Sequence, residues 1–133
     1  MRASHLLTAV LVLLASMMHL PTQAAARVQL QCELFTSGET TLLETEPTED
    51  MYGVVPLDLE RFRFKALAFG DQAQLQYIKL QVYYRSGPQA IMLHQIKLLP
   101  PFQLNQVLGG YNRVYSPDLG HELAYQCSLR DRP

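Results

Sequence analysis

Two short stretches near the ends of this chain alternate apolar and polar residues, and each places one of the two cysteines in the apolar phase. Val28, Leu30, Cys32 and Leu34 interleave with Gln29, Gln31 and Glu33. Leu123, Tyr125, Cys127 and Leu129 interleave with Glu122, Ala124, Gln126 and Ser128. A period of two is the mark of a half-buried β-strand. An even cysteine count, far apart in sequence and on inward-facing positions, predicts a structural disulfide rather than a C-x-x-C redox pair. A Cys32–Cys127 bridge would join the first strand to the last, as neighbours or across the core. In the chain-entropy picture, closing so long a loop contributes roughly 4–5 kcal/mol.

The residues between add more strands. Arg61 to Phe69 alternates, with Phe62, Phe64, Ala66 and Ala68 on one face and Arg61, Arg63 and Lys65 on the other. Leu75 to Arg85 is the clearest strand, with Ile78, Leu80, Val82 and Tyr84 in one phase. Ser86-Gly87-Pro88 turns the chain, Ala90 to Leu99 follows as a hairpin partner, and Pro100-Pro101 ends it. Residues 36–51 read as a long polar connection holding at most a short hairpin around Thr40 to Thr45. Tyr52 to Leu59 reads as a short edge strand, since Pro56 keeps it out of a sheet centre. Phe102 to Leu108 fits one helical turn or an extended strap, Gly109-Gly110 a flexible corner, and Tyr111 to Tyr115 a short strand. The predicted fold is all-β: a small antiparallel β-sandwich or barrel-like meander, with one disulfide joining first and last strands.

The beginning of the chain bears on compartment. Arg2, the apolar run Leu6 to Leu14, Pro21 and the small residues Ala24, Ala25 and Ala26 make a secretory signal peptide over residues 1–26. Cleavage after Ala24 fits nearly as well. The run is too short for a membrane anchor, so no stable membrane insertion is expected after cleavage. Residues 27–133 are then one β domain, expected in the periplasm or outside the cell, where a disulfide persists.

The net charge of −1 argues against nucleic acid as a partner. Between Arg27 and Arg61 every charged residue is acidic. Glu44, Glu46, Glu49 and Asp50 are oxygen donors for calcium, but they lack the EF-hand spacing. His94 and His121, the two histidines of the mature domain, have no zinc-ligand spacing, and no cofactor is expected. Ser116, Asp118 and His121 crowd one segment, yet Ser-Pro-Asp reads more simply as a turn than as a hydrolase centre.

Two groups carry the binding signal. Tyr111, Asn112, Arg113 and Tyr115 follow a double glycine, and tyrosine and arginine are the residue types that dominate interface hot spots. Arg61, Arg63 and Lys65 form a basic comb suited to an acidic polymer or protein patch. The expected function is a non-catalytic binding or accessory protein of the bacterial envelope, contacting a protein or polymer partner through a Tyr/Arg loop. The alternatives are a structural subunit joined by strand addition and a small hydrolase.

Overall fold

The computed structural model describes residues 27–118 and 120–132; the segment read as a signal peptide, residues 1–26, lies outside them. Eight strands follow in order: β1 (Arg27–Thr36), β2 (Glu39–Thr45), β3 (Leu57–Leu59), β4 (Phe62–Gly70), β5 (Leu75–Ser86), β6 (Gln89–Leu98), β7 (Val107–Tyr115) and β8 (Glu122–Arg132). They form two four-stranded sheets, β2-β1-β8-β7 and β3-β4-β5-β6, with every ladder antiparallel. The fold is a β-sandwich. The second sheet is a plain meander. The first joins two hairpins side by side, so the two ends of the described chain pair as β1 and β8.

The alternation places the core. Leu30, Cys32 and Leu34 of β1 and Leu123, Tyr125, Cys127 and Leu129 of β8 face Phe62, Phe64, Ala66 and Ala68 of β4 and Ile78, Leu80 and Val82 of β5 in one cluster. The Phe64 and Tyr125 rings meet across the layers with centroids 4.9 Å apart. Each such buried large side chain contributes about 1.5–3 kcal/mol. Cys32 pairs directly with Cys127 in the β1–β8 ladder, and the two are disulfide-bonded. The bridge thus lies within one sheet, between neighbouring strands.

Two connections cross between the sheets, and each is tied down by backbone bonds. After β2, Thr48 N–H donates to Ala68 O, and Gly70 N–H donates to Thr48 O, both at 3.0 Å. After β6, Asn105 N–H donates to Leu129 O at 2.8 Å. The segment after Phe102 is therefore an extended strap along β8.

Two expectations need correction. Residues 39–45 are not part of a polar connection but a full strand, paired with β1 from Leu30↔Thr45 to Thr36↔Glu39. Ser37 and Gly38, at φ 46° and 80°, form the tight turn that starts it. Gly109 and Gly110 are not a corner before a strand. They lie inside β7, where the register steps from Leu108↔Cys127 to Asn112↔Tyr125. The edge-strand reading of residues 52–59 reduces to Leu57–Leu59, immediately after Pro56.

Candidate functional site

The glycine pair builds the surface around Tyr111. Gly109 and Gly110 have φ of +72° and +78°, a conformation other residues adopt only with strain. Their excursion sets three residues of β7 against one of β8, a bulge that re-aims the following side chains. Asn112 holds the bulge: its Nδ2 donates to the carbonyl oxygens of Gly109 and Gly110 at 3.3 and 3.2 Å. Asn112 thus braces the surface from within the strand, through its side-chain amide.

Beyond the bulge, Tyr111, Arg113 and Tyr115 project from the outer face of the first sheet, while Val114 turns inward and is buried. Ala124 separates Phe35 from Arg113 in the sheet register. Its short side chain leaves room for the flanking rings to lean together. Phe35 and Tyr111 meet with centroids 6.0 Å apart, and the Arg113 guanidinium lies 5.6 Å from the Tyr111 centroid. The carboxylate of Glu122, 3.9 Å from Arg113, and then the Tyr115 hydroxyl raise the arginine's pKa further. Tyr111 and Tyr115 remain 51% and 61% exposed, so the patch combines large rings, one cation and little order to be paid on binding. These residues lie on an edge strand rather than in a loop.

Phe35 was not legible as a site residue. It occupies the polar phase of β1, and a large aromatic in that phase was the available signal.

The three residues of the basic comb differ in their partners. Arg61 lies outside β4 and bonds Asp118. Arg63 makes a two-pronged contact with Asp58, at 2.7 and 3.2 Å. Lys65 alone of the three has no ion pair among the described residues.

The turn after β7 is a latch. The Ser116 hydroxyl donates to the Asp118 backbone carbonyl at 2.7 Å, and Ser116 N–H donates to His121 O at 3.0 Å. The Asp118 carboxylate accepts from Tyr84 Oη at 2.7 Å and from Arg61, tying this turn of the first sheet to the second. Donation from Tyr84, then the Ser116 hydroxyl dipole close by, lowers the Asp118 pKa to about 2. The serine, the histidine backbone and the carboxylate are thus engaged in holding the turn.

A cleft of about 390 Å³ opens between β2 and the segment 48–55, with Glu44, Glu46 and Asp50 on its walls. Each acid has a partner of its own. Glu44 accepts from Gln31, Glu46 pairs with Arg132 at 2.8 Å, and Asp50 accepts from Tyr52 N–H. Among the described residues, no three His, Cys, Asp or Glu side chains converge as a metal site.

Neither a protein-family model, nor a curated protein, nor a solved structure matches this chain.

Proposed function

We propose that the domain is a non-catalytic binding protein of the bacterial envelope, exported to an oxidising compartment, and that it captures a protein partner on the outer face of β2-β1-β8-β7. The disulfide is compatible with that compartment. The observation that carries the reading is the cluster of Phe35, Tyr111 and Arg113. At the surface the Tyr111 ring meets both the Phe35 ring and the Arg113 guanidinium, and a bulge braced by Asn112 sets the β7 backbone that carries Tyr111 and Arg113. Pre-arranged rings lose little entropy on docking.

Crosslinking of the protein in its native envelope, read by mass spectrometry, tests this beside a Tyr111→Ala/Arg113→Ala variant. The expected result is one dominant partner whose capture drops at least tenfold in the variant, with an unchanged melting transition. Equal capture by the variant would overturn the reading. A variant that no longer unfolds cooperatively would instead make Tyr111 part of the core.

A further inference from the structure

The chain contains three lysines, and all three stand on the outward face of the second sheet, one on each of three adjacent strands. Lys79 of β5 is directly opposite Lys97 of β6 on one side and Leu67 of β4 on the other. Lys65 lies diagonally from Lys79, opposite Gln81. Like charges placed directly across a sheet repel. The alternation explains why each lysine points to solvent. It does not explain why none has an acid beside it when the chain carries 12 aspartates and glutamates. The described ion pairs all use arginine. The one strand carboxylate on this face, Asp58, is held by Arg63 and Arg85.

The surroundings of the lysines narrow the ligand. The Tyr77 ring orients two ammonium groups, Lys97 at 4.5 Å and Lys79 at 5.6 Å from its centroid, and stacks on Phe69. Gln81 donates to Gln95 at 2.8 Å, which sets an amide pair beside the lysines. Lys65, Lys79 and Gln81 also line a cleft of about 140 Å³ capped by Met51 and Tyr52, the latter 90% exposed.

We infer that this face binds an acidic polysaccharide. Strands about 4.8 Å apart set one cation after another across the sheet, so a polymer crossing them with one carboxylate per sugar presents an acid to each. The compact ammonium group suits a freely rotating carboxylate. The amide pair offers donors and acceptors to sugar hydroxyls, and Tyr52 and Met51 offer exposed apolar surface to the sugar's C–H faces. Polyglutamate matches the charge and can bond the amides through its backbone, but it brings neither a row of hydroxyls to the amide pair nor a flat C–H face to the Tyr52 ring.

The test titrates the disulfide-bonded protein calorimetrically at low salt with polygalacturonate, its neutral methyl ester, polyglutamate and phosphatidylglycerol vesicles. Polygalacturonate should bind, weaken with added salt, and lose at least tenfold in affinity with Lys79→Gln/Lys97→Gln. The ester should not bind, and polyglutamate and vesicles should bind more weakly. Absence of polygalacturonate binding would overturn the inference. So would equal or tighter binding of polyglutamate or of vesicles, or an unchanged affinity in the double variant. The double variant should melt close to the parent, because the repulsion it relieves offsets the two ring contacts it removes. If it fails to fold, Lys65→Gln, which removes no ring contact, replaces it with an expected loss of at least threefold, and an unchanged affinity there would also overturn the inference.

Discussion

Tyr125 shows how one side chain is held by shape against its own polarity. It is fully buried, its ring packs on Phe64 and edge-on to His94, and its hydroxyl has no hydrogen-bond partner among the described residues. His94 Nε2 is likewise buried without a partner. Burial pushes the tyrosine pKa up, because the phenolate would sit in an apolar interior. A buried, unpaired hydroxyl costs about 1–3 kcal/mol relative to water. Tyr125→Phe keeps the ring and deletes that cost, so it should stabilise the protein by about 1 kcal/mol. Urea unfolding of the two proteins checks this. A less stable variant would mean that the hydroxyl is satisfied in solution, with His94 the nearest polar ring.

At the scale of elements, the readable strands were those with one wet and one dry face. β1 and β5 alternate almost throughout and β4 over most of its length, while β6 and β8 alternate only in part, Ala124 and Ser128 of β8 being buried in the polar phase; all five were legible as strands. β2 was obscured because it is an edge strand of threonine and glutamate with only part of one face covered, so its alternation is weak. Its Ser37-Gly38 turn was the stronger signal. In β7 the double glycine reads as a break, and only pairing with β8 shows that it is a bulge within a strand. The fate of the comb was equally hidden, since Asp58 and Asp118 reach their arginines through tertiary placement. That placement gives the β7–β8 turn a pH dependence. The Asp118 pKa of about 2 lies below its ordinary 3.8, so the folded state holds the proton less tightly than the unfolded chain does. The stabilisation is complete above pH 3.8 and is lost as pH falls toward 2. Asp118→Asn should therefore lower stability at neutral pH and flatten the acid loss between pH 4 and 2. Denaturation midpoints of both proteins from pH 7 to pH 2 decide it. Parallel curves would show that the latch contributes nothing.

The described domain presents two outer faces of unlike chemistry on one core: rings with an arginine on the first sheet, and on the second, lysines that have no ion pair among the described residues. The sequence separates the two phases of each strand, but it does not say which strands share a sheet, and both candidate sites depend on that grouping. Phe35 meets Tyr111 only because β1 and β7 flank β8. Lys97 meets Lys79 only because a bulge between Val82 and Tyr83 leaves β6 in register with β5 beyond it. The disulfide holds the arrangement at its seam. The β1–β8 ladder joins one hairpin of the first sheet to the other, and Cys32–Cys127 sits within it, spanning 95 residues of sequence. Without the bridge, that ladder must close the longest loop in the described chain by side-chain burial and backbone bonds alone. The chain-entropy cost is roughly 4–5 kcal/mol, a large share of the 5–15 kcal/mol that holds a typical domain folded. Cys32→Ala/Cys127→Ala should therefore leave a protein that folds but melts far lower, and reductant should bring the parent down to the same level. A melting temperature unchanged by reduction would mean that the paired strands hold the seam without the bond. In that case the two outer faces would stay in place in a reducing compartment as well.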